Sequence, residues 1–204
     1  MGALHPIRFY FSFRSPYAWL AAERFELELA GFDYEVELIP LFPTAETFPN
    51  DPVRVPNKLR YLVADTMRLA REYGLRFRLG AGIDNDWAKA HAAFLGAVQR
   101  GVGFRFMQEM FRARFCEARD LGDDGVLSTV AERCQLSAAE ILAAANSEEL
   151  RAQVSENFSL GQKRDGIFGV PSFLYQGQLF WGHDRLGSLR RALLEAEGAR
   201  AVAS

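Results

Sequence analysis

The stretch that decides the fold is Phe9-Tyr10-Phe11-Ser12-Phe13-Arg14-Ser15-Pro16-Tyr17-Ala18-Trp19-Leu20. Phe9, Phe11 and Phe13 alternate with Tyr10, Ser12 and Arg14, the period of two that marks a strand. Ser15-Pro16 breaks the alternation. Serine is a favoured helix cap, and proline suits the first helical turn, where its missing N–H would be unpaired anyway. Beyond it Ala18, Ala21, Ala22, Phe25 and Leu29 share one helical face. A serine at a strand-to-helix turn sits among free backbone N–H groups at the positive end of a helix dipole, a place suited to an anion. The plainer reading of Ser15 is an N-cap and nothing more.

Gly31 is a natural end for this helix. Tyr34 to Leu41 alternates again, with Val36, Leu38 and Leu41 as inward positions of a second strand. Strand, helix and strand at this spacing make a βαβ unit, whose strands run parallel through a right-handed crossover. Phe42 to Asn57 reads as loop, because Pro43, Pro49, Pro52 and Pro56 oppose a continuous helix. Structureless loops of this length are uncommon in compact domains and often functional. A helix follows, with Leu59, Leu62, Val63, Thr66, Leu69, Ala70 and Tyr73 on one face and Gly74 at its end.

From about Asp86 to about Lys163 the pattern is all helical. Trp87, His91, Phe94, Leu95 and Val98 mark one face; Phe104, Met107, Phe111, Phe115 and Ala118 a second; Leu127, Val130, Ala131 and Cys134 a third. Ser137 with Glu140 forms a capping box, and Ser147 caps a further helix towards Gly161. Strands then return: Ser172 to Gln176 and Gln178 to Trp181, joined at Gln176-Gly177 as a hairpin. A last helix runs from Asp184 through Leu186, Leu189, Leu193 and Ala196. The order is β-α-β, a helical block, then β-β-α. We therefore expect an α/β domain built from residues 1–75 and 164–204, interrupted by an all-helical insertion over 76–163.

The bulk numbers narrow the function. The chain has 204 residues, 49% hydrophobic, with 24 Lys and Arg against 26 Asp and Glu. A net charge of −2 gives no field that favours nucleic acid or an anionic membrane surface. No stretch approaches the roughly 20 apolar residues of a membrane span, and the N-terminus does not read as a signal peptide. Cys116 and Cys134 form no C-x-x-C pair and no disulfide framework, so both read as structural thiols of a cytoplasmic protein. His5, His91 and His183 have no metal-ligand spacing, and no glycine-rich phosphate loop is present.

Four blocks carry a resemblance. Ser15-Pro-Tyr-Ala-Trp19, Lys58 to Asp65 with Tyr61-Leu62, Phe168-Gly-Val-Pro-Ser-Phe173 and Trp181-Gly-His-Asp-Arg-Leu186 are similar to the DsbA-like branch of the thioredoxin fold. That branch contains 2-hydroxychromene-2-carboxylate isomerase and the kappa-class glutathione transferases. The last two blocks look more like the isomerase side. The resemblance implies a thioredoxin-like fold with a large helical insertion, glutathione as cofactor, a small aromatic substrate and a homodimer. It implies that Ser15 is the catalytic residue, keeping the glutathione thiol ionised. Pro16 and Tyr17 would flank the thiol, and Val170, before a cis Pro171, would pair its main chain with the cysteinyl unit. Asp184 would hold the γ-glutamyl ammonium and His183 the γ-glutamyl carboxylate. Lys58 and a loop asparagine, Asn50 or else Asn57, complete the expected contacts.

No cysteine lies between Ser15 and Ala18, so dithiol–disulfide exchange has no attacking thiolate at this helix start. The activity implied is isomerisation of an unsaturated aromatic carboxylate by reversible addition of the glutathione thiolate. A kappa-like transferase that releases the conjugate is the alternative, and a redox-inactive thiol-binding protein the third. Another small thiol, such as mycothiol, stands as the alternative to glutathione. Relatives place the second-substrate pocket near Asn85, Trp87 and His91. Here the sequence departs most, with Ile83-Asp-Asn-Asp-Trp87 and with Ser12 and Phe115 where the family often has aspartate and tryptophan. His91 shares an apolar face with Phe94 and Val98 and reads as a packed core residue.

Overall fold

The computed structural model describes residues 6–42, 51, 54–78, 80 and 86–203. Strand β1 (Ile7–Phe11) leads through Ser15 into α1 (Pro16–Glu28), and β2 (Val36–Pro40) follows. α2 (Pro56–Glu72) comes next, then α3 (Trp87–Val98), α4 (Gly103–Phe115), α5 (Asp124–Arg133), α6 (Ala138–Ala145) and α7 (Glu148–Asp165). The chain closes with β3 (Ser172–Tyr175), β4 (Gln178–Trp181), a 3-10 turn over His183–Arg185, and α8 (Leu186–Ala203).

One mixed sheet has the order β2-β1-β3-β4. β1 and β2 are parallel, with Ile7 opposite Val36 and Phe11 opposite Pro40, as the βαβ spacing predicts. β3 runs antiparallel to β1, with Tyr10 opposite Ser172. The β3–β4 turn places Gln176 and Gly177 at φ of 48° and 78°, the left-handed pair that a two-residue hairpin requires. The alternation of β1 marks its two faces, and the sheet buries both. Phe9 and Phe11 join the main core, where Phe9 stacks on Phe25 of α1 at 5.5 Å. Tyr10 enters a second cluster with Ile39, Leu41, Phe158 and Ile167, packed by α7. Each fully buried phenylalanine contributes about 1.5–3 kcal/mol relative to exposure.

The helices between β2 and β3 carry a core continuous with that of the sheet. Gly96 is where α3 meets α6: a Cβ there would lie 2.4 Å from Ala144 Cβ, so only glycine permits the crossing. Four helical expectations shift. Val98 is 41% exposed, because α3 is enclosed by its alanines as much as by its aromatic face. Ala118 lies beyond α4 at φ 60°, where Cys116 and Glu117 N–H both return to the Arg112 carbonyl and end the helix. α7 continues past Gly161 to Asp165 and stops at Gly166, φ 69°. α2 begins at Pro56, inside the expected loop, since proline is tolerated in the first turn. Among the described residues no helix is long and apolar enough to cross a membrane.

Candidate functional site

Antiparallel pairing brings the start of β3 to the end of β1. The Val170–Pro171 step therefore meets the edge of the sheet from which α1 departs. That peptide bond is cis, as the resemblance implies. Gly182 N–H donates to the Pro171 carbonyl at 2.9 Å, so the turn before α8 is tied to the same segment. The 3-10 turn packs against α1, and the His183 ring stacks on Tyr17 with centroids 4.9 Å apart. Five of the expected residues, Pro16, Tyr17, Val170, Pro171 and His183, are thus linked by direct contacts or as neighbours in the chain, with Ser15 next to Pro16. Asp184 follows on the rim.

Ser15 caps α1. Its Oγ accepts from Ala18 N–H at 3.2 Å, and its own N–H donates to the Ser12 carbonyl at 2.9 Å. The cap uses the oxygen as acceptor and leaves the O–H free to donate. Pro16 has no N–H, Ala18 N–H is taken, and Tyr17 N–H meets no acceptor among the described residues. Two donors, one hydroxyl and one amide, thus stand at the positive end of the helix dipole. The main-chain N–H and carbonyl of Val170 likewise have no backbone partner among the described residues.

The surroundings fix these groups. Tyr17 hydroxyl donates to Asp65 Oδ2 at 2.7 Å, linking α1 to α2, and Asp65 also pairs with Arg68. Burial, then the bond to Asp65, pushes the Tyr17 hydroxyl well above the usual phenol range, so it stays a donor. Arg14 pairs with Asp51 at 2.6 Å, which ties one point of the proline-rich loop beside the Ser15 turn. Burial lowers the His183 pKa, against the raising pull of Asp184 and Asp65, so its ring is neutral at neutral pH. His183 Nδ1 is buried and meets no partner among the described residues.

Asp184 is exposed and pairs with Arg185 at 3.0 Å. Gly182 sets its approach: at φ 119° a Cβ would stand 2.5 Å from Asp184 Oδ1. Lys58 is exposed in the first turn of α2, about two turns before Asp65 on the same helical face. Asn57 is exposed beside it; Asn50 and Asn85 lie outside the described residues. Asp65, Arg14 and Asp51 were not among the expected site residues. Only Asp65 had a signal, as the last residue of the Lys58 block; Arg14 and Asp51 meet through a tertiary contact with no local pattern.

His91 is fully buried and takes two hydrogen bonds, from Phe13 N–H at 3.0 Å and with the Trp87 carbonyl at 2.6 Å. Burial holds its pKa down at about 4, the Trp87 bond notwithstanding, so it is neutral and packed. Cys116 borders a cleft of about 480 Å³ with Glu23, Arg76 and Arg112. Burial, ahead of nearby Glu23, pushes its thiol up to about 11, so it stays protonated at neutral pH. Cys134 is buried and its thiol is raised by the same cause.

The profile of the DSBA-like thioredoxin domain family matches residues 6–194. The 2-hydroxychromene-2-carboxylate isomerase of Sphingobium xenophagum is 26% identical over 196 residues, covering 93% of this chain and 98% of that protein. A solved 2-hydroxychromene-2-carboxylate isomerase superimposes with a TM-score of 0.84 at 20% identity, over 97% of this chain and 98% of that one. The cytosolic disulfide reductase DsbM of Pseudomonas aeruginosa, solved with GSH, superimposes with a TM-score of 0.65 at 22% identity, over 94% and 98% of the two chains. At these identities the structural likenesses establish the fold.

Proposed function

We propose a function from one premise: this chain belongs to the DSBA-like thioredoxin domain family. It is a glutathione-dependent isomerase of an unsaturated aromatic carboxylate, of the 2-hydroxychromene-2-carboxylate isomerase kind. The observation that carries the reading is the start of α1, where a serine replaces any thiol yet keeps its O–H free while capping the helix. Support for the kind of reaction comes from the relatives that bear the isomerase name, and support for the cofactor from DsbM, solved with GSH.

The residues fit a γ-glutamyl tripeptide. Ser15 O–H and Tyr17 N–H would face the thiolate, and the main chain of Val170, without a backbone partner among the described residues, would pair with the cysteinyl unit. Asp184 would hold the ammonium, and the buried His183 Nδ1, without a partner among the described residues, offers a polar atom to the γ-glutamyl carboxylate. Lys58, with Asn50 or Asn57, would reach the far end. When bound, glutathione would supply the nucleophile that the start of α1 lacks, adding reversibly to the substrate double bond. Ser15 holds that sulfur ionised by a charge-assisted hydrogen bond, and the helix dipole assists. The reading extends to a homodimer in a reducing cytoplasm and to the division at residues 76–163, which we hold on the resemblance.

The test is turnover of 2-hydroxychromene-2-carboxylate with glutathione present far below the substrate concentration. Conversion without loss of free thiol is the expected result. Loss of one thiol per product would make the protein a transferase, and no dependence on glutathione would refute the reading.

A further inference from the structure

The Ser15 turn has few bonds of its own. The β1 pairing ends where Leu41 N–H meets the Phe11 carbonyl at 2.7 Å. Within the turn, Arg14 N–H reaches Ser12 Oγ at 3.4 Å and Ser15 N–H reaches the Ser12 carbonyl at 2.9 Å. Phe13 N–H lies between strand and helix and is served by neither. Its acceptor is His91 Nε2, from α3, 3.0 Å away.

The chemistry of the ring fixes the direction of both bonds. The Trp87 carbonyl can only accept, so the proton sits on His91 Nδ1, 2.6 Å from it. Nε2 then carries the lone pair that Phe13 N–H requires. Phe13 and Phe42 flank the ring at 4.9 and 6.2 Å, and no water can replace it, since His91 has no exposed surface. A buried N–H left without an acceptor is costly, so the Phe13 peptide of the turn relies on this one atom.

We propose that His91 is a positioning residue: α3 sets where the Ser15 hydroxyl and Tyr17 N–H stand, through the Phe13 N–H to Nε2 bond. The inference rests on the reading of Ser15 as the thiol-holding group. It gives the helical segment a part in the thiol half of the site as well as in any second-substrate pocket.

Two measurements test it. In labelled wild-type protein, the bond should give a through-hydrogen-bond coupling between the Phe13 amide nitrogen and His91 Nε2. His91→Leu removes the acceptor, and His91→Gln returns one at similar reach. In His91→Leu, amide exchange at Phe13 and Ser15 should quicken by about tenfold or more relative to α3, and bound glutathione should be about tenfold less ionised at a pH below its thiol pKa. His91→Gln should recover most of both. Absence of the wild-type coupling, unchanged Phe13 exchange in His91→Leu, or equal losses in the two variants would overturn the proposal. If the wild type binds no glutathione, the proposed function fails, and the coupling and exchange results still decide the role of His91 in the turn.

Discussion

Replacing Ser15 separates two tasks that one hydroxyl performs. As N-cap, Ser15 Oγ accepts from Ala18 N–H, and losing such a cap costs about 1 kcal/mol. For a chain of this size that lowers Tm by about 2–4 °C. As thiolate donor, its O–H makes a hydrogen bond to a charged group, which contributes about 1.5–3 kcal/mol. At about 1.4 kcal/mol per pH unit, Ser15→Ala should raise the pKa of the bound thiol by about one to two units. Ser15→Asp divides the two: aspartate caps as well as serine, so Tm should hold, while its carboxylate repels the thiolate and lifts the pKa at least as far. Ser15→Thr should keep both properties. Thiolate absorbance of bound glutathione against pH, with thermal unfolding alongside, reads both effects. A Ser15→Asp protein whose bound thiol titrates as in wild type would refute the reasoning, and Ser15 would then be a cap alone.

Asp184→Asn should weaken glutathione binding by about tenfold by calorimetry, with Tm unchanged, because the carboxylate is exposed and its pair with Arg185 lies at the surface. Gly182→Ala should lower stability by about 1–3 kcal/mol in denaturant unfolding, since alanine is strained at φ 119°, and should weaken glutathione binding by displacing Asp184. Tyr17→Phe should cost about 1 kcal/mol by the lost bond to Asp65, read by thermal unfolding. Folding stability should also fall with acid. His91 titrates near 6.5 when unfolded and at about 4 when buried, so between those values the unfolded chain binds the extra proton and stability drops as pH falls, by about 3 kcal/mol in all. His91→Gln should lose that part of the acid sensitivity, measured by urea unfolding between neutral pH and pH about 4.

Local patterns made most of the fold legible. The β1–Ser15–α1 turn, the parallel β2 and the Gln176-Gly177 hairpin each rest on short-range rules of period, cap and turn, and each stands where the sequence places it. What periodicity does not report is enclosure. Tyr10 looks like the outer side of an alternating strand, yet α7 covers it; Val98 looks like core, yet alanines close α3 instead. At the site, Ser15 and the cis step before Pro171 were readable from motif blocks. The bonds that hold them, Tyr17 to Asp65, Arg14 to Asp51 and Phe13 to His91, join residues far apart in the chain. No periodic or capping rule links such partners, so only the folded arrangement reveals them. His91 shows the difference well: its apolar face marked it as packed, and its two ring nitrogens reveal what it packs for.

The most direct measurement is a crystal structure of the wild-type protein with glutathione. The account predicts the sulfur within hydrogen-bond distance of Ser15 Oγ, the cysteinyl main chain paired with Val170, and the γ-glutamyl end at His183 and Asp184. Glutathione bound elsewhere, or with its sulfur turned away from Ser15, would contradict it.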